Sequence, residues 1–295
     1  MFQRELPTGV EWSYTTRRIR LLSHDFAIRS THPGIGRYFD DLYDASIVRG
    51  EPSTWYSIIT GLPGSKPHAL DVDRERVVRT SRSQFVTEYL FWHINREAID
   101  RSCADYVLVH AAAAARNGVG IVLPAASEAG KTTLVGGLVS AGFNYLTDEA
   151  AAIHPVTLRL VPFEKPLSVD KGSWEVLAHL EPRVEPEIKQ YLASQWQVPP
   201  LSIRSGSVSG AVPARLVVFP RYSPGGRTQL KKVSRSDALI GLLRHTFKFE
   251  RASRRNFEVL ARLAGQVSCY DLTVGCLSEA CSLLRRLTDS THTEG

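Results

Sequence analysis

The spacing of apolar residues changes character along the chain. Up to about residue 80, short alternating runs such as Ser57-Ile58-Ile59-Thr60 are broken by turn clusters at His32-Pro33-Gly34 and Leu62-Pro63-Gly64, which predicts a small, mostly β N-terminal domain over 1–80. From 83 to 101, Phe85, Tyr89, Trp92, Ile94 and Ile99 recur at roughly helical spacing, with Ser81 or Ser83 available as a cap. This predicts a linking helix over 81–104. His93 lies within it, and a lone helical histidine reads as a packing or surface residue. Beyond it, short apolar runs alternate with glycine turns and helical patterns. Strands are expected at 106–109, 120–124, 144–146 and 216–219. Helices are expected at 131–140, at 236–246 with Ser236 as cap, at 256–263 with Ser253 as an available cap, and at about 278–287. The result is an α/β domain over 105–287 with a helical C-terminal part, followed by a flexible polar tail over 288–295.

Composition adds bounds to this outline. A chain of 295 residues with 43% hydrophobic content can bury a full core in one large or two unequal domains. Its 36 Lys and Arg against 30 Asp and Glu give a net charge of +6, which suits an anionic partner or simply a solvated basic surface. The four cysteines, Cys103, Cys269, Cys276 and Cys281, show neither a CxxC pair nor a histidine at metal-ligand spacing, so reduced structural thiols are expected. The first 21 residues lack the apolar core of a signal peptide, and the apolar stretch 106–126 is interrupted by His110, Arg116, Asn117 and two glycines. A soluble, cytoplasmic protein with no membrane partner is the expectation.

The chemistry concentrates at 121–134. Ala125-Ala126-Ser127-Glu128-Ala129-Gly130-Lys131-Thr132 is a permissive Walker A pattern, with Ala125 where the first glycine commonly stands. An apolar strand precedes it and a helix follows, the context in which consecutive backbone N–H groups converge on phosphates at a helix N-terminus. Ser127, Glu128, Ala129, Gly130, Lys131, Thr132 and Thr133 are the candidate nucleotide-binding residues. Lys131 would neutralise the β- and γ-phosphates of ATP or GTP, and the Thr132 hydroxyl would ligate Mg²⁺. One helix later, a short apolar strand ends in Asp148-Glu149. Neighbours on an extended strand point to opposite sides, so one acid would accept a substrate proton while the other holds the metal.

Together these residues resemble the HPr kinase/phosphorylase family and its relatives, whose P-loop core is shared with phosphoenolpyruvate carboxykinases. The matching run is Val109-His110-Ala111, Gly120-Ile121-Val122-Leu123, the loop, Leu134, Ala141-Gly142-Phe143 and Leu146-Thr147-Asp148-Glu149. Around Lys171-Gly172-Ser173-Trp174 and Phe219-Pro220-Arg221-Tyr222 the chain looks most like the HPr-kinase-like proteins of bacterial modified-peptide gene clusters. The resemblance implies a kinase with Asp148 as catalytic base, Glu149 assisting the metal and His110 in the active site. Ala125 and Glu128 stand where the classical enzymes have glycines, and their glycine-rich segment between core and C-terminus is absent. HPr itself is therefore not the expected acceptor.

The expected function is transfer of a γ-phosphoryl group to a Ser/Thr-type hydroxyl of a peptide, protein or small alcohol. A nucleotide-dependent switch without transfer is the alternative. The densest basic run is Arg244, His245, Lys248, Arg251, Arg254 and Arg255 against Glu250, either an acceptor-steering wall or a solvated face. Lys171, Arg204, Arg251, Arg254 and Arg255 are the candidate acceptor-binding cations. A homo-oligomer is compatible with the sequence, and nucleic acid is not an expected partner, since no helix-turn-helix or zinc pattern is present.

Overall fold

The computed structural model describes residues 10–61, 67–126, 129–248 and 253–293. Helix and strand are present in near-equal share, in two compact units. The first unit holds the described residues up to Arg101 together with Pro182–Pro199, and the second holds Ser102–Glu181 and the described residues from Pro200 onward.

In the first unit, β1 (Tyr14–Thr15), β2 (Arg18–Leu21), β3 (His24–Ser30), α1 (Pro33–Leu42), β4 (Ile47–Val48), β5 (Thr54–Ile59), β6 (His68–Val72), β7 (Glu75–Thr80) and α2 (Ser83–Ser102) follow one another. The sheet runs β4-β2-β3-β5-β6-β7, with β1 also on β3. The β3 to β5 pairing is parallel because α1 makes the crossover between them. Phe26, Ile28, Phe39, Tyr56, Leu70 and Leu90 close the core between sheet and helices. The turn expected at His32-Pro33-Gly34 is instead the start of α1, where Pro33 takes the first helical position and the His32 ring accepts from the Ile35 N–H. The cluster at 62–64 lies outside the described residues.

Two expected boundaries move. All of the helix Ser83–Ser102 but its last residue belongs to the first unit, so it is part of that unit's packing and not a separate linker. Pro182–Pro199, assigned from sequence to the 105–287 domain, also packs with the first unit. The cause lies in contacts distant in sequence: Thr87 Oγ1 donates to the Tyr191 carbonyl at 2.7 Å and Ser83 Oγ to the Gln190 carbonyl at 2.6 Å. The Tyr191 ring lies against those of His32 and His68.

The second unit contains β8 (Val107–Arg116), β9 (Val119–Pro124), α3 (Lys131–Ser140), β10 (Asn144–Thr147), β11 (Ala150–Ile153), β12 (Arg159–Val161) and β13 (Leu167–Val169). After the short α4 (Pro186–Lys189) and β14 (Trp196–Val198) of the first unit come α5 (Pro200–Ile203), β15 (Val212–Tyr222), β16 (Gln229–Lys232), α6 (Arg235–Arg244), α7 (Ser253–Gln266), β17 (Ser268–Val274) and α8 (Leu277–Thr293). The sheet is mixed. Within it, β9, β15 and β17 run parallel, while β8 pairs antiparallel with β9 on one edge and with β10 and β11 on the other. Since β12 joins β11 to β15, the pairings of β8, β9, β15, β12 and β11 close on themselves. A strand in such a circuit has partners on both edges and no exposed ladder.

Alternate residues of β8, Val107, Val109, Ala111, Ala113 and Ala115, join Ala238 and Leu242 of α6 and Val259, Leu260 and Leu263 of α7 in one apolar cluster. Helices α3 and α8 pack against the sheet and each other. Gly137 of α3 permits that approach, since a Cβ there would stand 2.9 Å from the Leu277 side chain. Helix α6 is capped by Ser234, whose Oγ accepts from the Asp237 N–H, and not by Ser236 as its periodicity suggests. Helix α8 does not end near Leu287 before a flexible tail. It continues to Thr293, with Thr288 buried and Asp289 paired to Arg116 at 3.1 Å. Among the described residues no helix is long and apolar enough to cross a membrane.

Two outcomes follow for stability. Deleting 288–295 should cost about 1–3 kcal/mol through loss of the buried Thr288 turn and the Asp289 contacts, read as a lower urea midpoint, whereas a frayed tail would leave the midpoint unchanged. His24 is fully buried with its Nε2 3.2 Å from the Tyr56 hydroxyl, and burial first, then Arg101 and His93, lowers its pKa from 6.5 to about 3. The unfolded chain takes up that proton more readily than the folded one. Stability from a neutral His24 is therefore complete above pH 6.5 and lost as pH falls toward 3. The urea midpoint of His24→Leu should decline less steeply than wild type from pH 6.5 to 4.

Candidate functional site

Strand β9 is apolar and buried throughout, as a strand flanked by β8 and β15 must be. It feeds a loop that turns into α3 at Gly130, which takes the left-handed conformation at φ 82°. A Cβ would meet nothing within 4 Å there, so glycine is required by the backbone angle and not by crowding. The first-turn N–H groups of α3 have no intrahelical partners, and that end of the helix dipole is positive. Lys131, at the first helical position, is buried, and its Nζ donates to the carbonyls of Ala125 at 2.9 Å and Ala126 at 2.6 Å. Burial lowers its pKa while Glu149 and Asp148 act in the opposite sense. The expected loop residues Ser127 and Glu128 lie outside the described residues. Ala129 and Gly130 lead into the helix, and Thr133 Oγ1 meets Ser173 Oγ at 2.5 Å.

The two acids are separated by a bend and not by simple strand alternation. The Thr147 hydroxyl accepts the N–H groups of both Glu149 and Ala150, at 3.1 and 3.2 Å, an ST-type turn that interrupts the strand between β10 and β11. Asp148 is thereby directed inward and is buried. Its Oδ2 accepts from Thr132 Oγ1 at 3.1 Å and from the Ser168 N–H at 3.1 Å. Its Oδ1 accepts from the Tyr145 hydroxyl at 2.9 Å and pairs with Lys165 Nζ at 2.6 Å. Four donors thus surround one carboxylate. Glu149 is only half-buried, and burial raises its pKa, with Lys165 and Lys131 opposing and Asp148 reinforcing the shift.

His110 enters from β8, opposite Ala150 in the ladder. Its N–H donates to the His245 carbonyl at 2.7 Å and its ring lies 5.5 Å from that of Phe247. Burial first, then Lys131 and His245, lowers its pKa to about 4, so it is neutral at pH 7. His245 is lowered by burial, Lys131 and Arg244. Both histidines thus feel the charge of Lys131.

The structure thus joins Thr132 to Asp148 through a hydrogen bond, while Lys131, bonded to its own loop carbonyls, is coupled to Asp148, Glu149 and His110 by charge. The candidate acceptor cations do not join them by hydrogen bonds or ion pairs among the described residues. Lys171 is exposed on a 3₁₀ turn. Arg204 secures the entry to β10, donating to the Phe143 carbonyl and Asn144 Oδ1. Arg254 pairs with Glu258 one turn on, and Arg255 donates to the carbonyls of Cys103 and Ala104. Arg251 lies outside the described residues. Sequence reasoning missed Lys165, Tyr145 and Ser168. The one available signal for them was Lys165, a lysine set among the apolar positions Val161, Phe163, Leu167 and Val169.

The donor set suits a magnesium ion and a phosphate chain. A hydroxyl and a carboxylate oxygen 3.1 Å apart are hard oxygen ligands of the kind Mg²⁺ takes, beside a lysine and a helix N-terminus. Among the described residues no group of three His, Cys, Asp or Glu side chains could hold a metal unaided.

Breaking the buried pair should be costly. Asp148→Asn leaves Lys165 charged and unpaired and should destabilise the protein by about 3–5 kcal/mol, whereas Asp148→Asn with Lys165→Met should recover much of that loss. Guanidinium unfolding of the two singles and the double closes the cycle, and additive losses would show that the pair is not coupled.

No protein-family model matches the chain, and no curated protein matches it.

Proposed function

We propose that the chain is a nucleotide-dependent phosphotransferase of HPr-kinase-like type, transferring a γ-phosphoryl group from ATP or GTP to a hydroxyl of a peptide, protein or small alcohol. The observation that carries this reading is the hydrogen bond from Thr132 Oγ1 to Asp148 Oδ2 at the start of α3. It joins the hydroxyl that follows a phosphate-loop lysine to the strand-end acid one helix later, the pairing that phosphoryl-transfer sites use to seat Mg²⁺. In this reading the loop is a P-loop. Lys131 exchanges the Ala125 and Ala126 carbonyls for phosphate oxygens, and the first-turn N–H groups of α3 receive the phosphate chain. Magnesium, when bound with nucleotide, would be held through Thr132 and Asp148 and would supply charge neutralisation.

The division of labour between the acids then differs from the one the family resemblance implies. Both oxygens of Asp148 are engaged by donors, four in all, which occupy the lone pairs an incoming hydroxyl would need. Glu149, with its raised pKa, is the better proton acceptor for an incoming hydroxyl, since a base is most effective with a pKa closer to the working pH. Neutral His110 can orient the acceptor or the Glu149 carboxyl without adding charge.

Three substitutions separate these roles. Lys131→Ala should abolish detectable Mg-nucleotide binding in calorimetric titration, and unchanged affinity would remove the basis for the reading. Glu149→Gln should lower turnover, measured as nucleotide hydrolysis with water as acceptor, by about 10²-fold or more at unchanged nucleotide affinity. Asp148→Asn should instead weaken Mg-nucleotide binding. If Asp148→Asn loses turnover alone while Glu149→Gln is active, the acids keep the roles that the resemblance implies.

A further inference from the structure

Lys165 has no part in the loop motif, yet it occupies the centre of the site. It lies between β12 and β13 with its side chain 1% exposed. Its ammonium meets Asp148 Oδ1 at 2.6 Å, the Pro166 carbonyl at 3.0 Å and Ser168 Oγ at 3.4 Å. An ammonium group has three protons, and three acceptors surround this one, so the cation is seated and not poised to swing away. The opposite edge of Asp148 faces Thr132 and the Ser168 N–H. One edge of the carboxylate is thus committed to a fixed positive charge, and the other is turned toward the proposed metal position.

The local charge balance follows. Lys131 and Lys165 oppose Asp148 and Glu149 one for one, and His110 is neutral at pH 7. A divalent cation arriving alone meets an Asp148 carboxylate already paired with an ammonium group and no trio of acid or histidine ligands among the described residues. A nucleotide supplies the missing anionic oxygens itself, which is how Mg²⁺ is usually completed at sites with one or two carboxylates.

We propose that Lys165 is a resident counter-ion that neutralises Asp148, so that the protein does not hold a divalent cation by itself and the metal enters only as the nucleotide chelate. Lys165 is then a positioning residue acting through Asp148. It makes metal binding conditional on nucleotide and keeps Asp148 aligned on Thr132. The inference rests on the phosphotransferase reading of this site.

The test uses the full chain and Mn²⁺, followed by the loss of the free-ion paramagnetic resonance signal. Without nucleotide, wild type should show no site tighter than about 1 mM, and a non-hydrolysable ATP analogue should create one. Lys165→Gln, which keeps a donor to Asp148 but removes the charge, should bind Mn²⁺ without nucleotide on the order of 10- to 100-fold more tightly than wild type, the effect of a unit charge removed at close range in a medium of intermediate dielectric. Tight Mn²⁺ binding to nucleotide-free wild type that Asp148→Asn abolishes would overturn the proposal. So would a folded Lys165→Gln protein with no gain. Should Lys165→Gln fail to fold, the wild-type titrations with and without analogue still decide the conditional binding. Failure of the analogue to bind at all, with or without metal, would instead overturn the phosphotransferase reading, and this inference with it.

Discussion

The contact between Asp148 and Lys165 organises the second unit's site. Removing two charges from water is expensive, and their attraction offsets that cost only when the remaining hydrogen-bonding capacity is also satisfied. Here it is: Thr132, Tyr145 and the Ser168 backbone complete the carboxylate, and Pro166 and Ser168 complete the ammonium. A hydrophobic pair of similar volume would serve stability as well or better. The pair therefore makes most sense as a device for geometry, since it ties the start of α3, the end of β10 and the segment before β13 to a single point.

That point shapes the surrounding electrostatics. Lys131 is buried against its own loop carbonyls and loses some affinity for its proton. Glu149 gains some. His110 is held neutral well below physiological pH by burial and the neighbouring lysine. Burial alone pushes Glu164, beside Lys165 in the chain, to about 7. Lys131 is coupled by charge to both Glu149 and His110, and perturbed titratable groups that interact in this way are more frequent at functional sites than elsewhere. The same low-dielectric surroundings that shift these groups would strengthen their interaction with a bound phosphate.

Residue patterns along the chain carried the local elements well, because each depends on near neighbours. The apolar run ending at Pro124, the glycine before Lys131 and the helical pattern to Ser140 are set by burial period and backbone angle, and β9 and α3 occupy those positions. Boundaries that depend on distant partners were not legible. The last turns of α8 are held by Arg116, 173 residues away from Asp289 in sequence. Pro182–Pro199 is drawn to the first unit by bonds to Ser83 and Thr87, more than 100 residues earlier.

The candidate site divides in the same way. Lys131, Thr132, Asp148, Glu149 and His110 were marked by residue type and spacing, since a phosphate loop must place a glycine, a lysine and a hydroxyl consecutively. Their assembly was tertiary. Only the sheet pairings that place β10 and β11 beside β8, and β9 beside β15, bring the Asp148 carboxylate to Thr132. Lys165 shows the limit most clearly. A lysine among apolar neighbours reads as an exposed or misplaced charge until a buried carboxylate is set opposite it, and that carboxylate comes from the bend between β10 and β11. The sequence by itself determined which groups were available and which backbone angles were required. Tertiary structure decided which charges were desolvated together, because Coulomb attraction and burial depend on distances through space and not on separation along the chain.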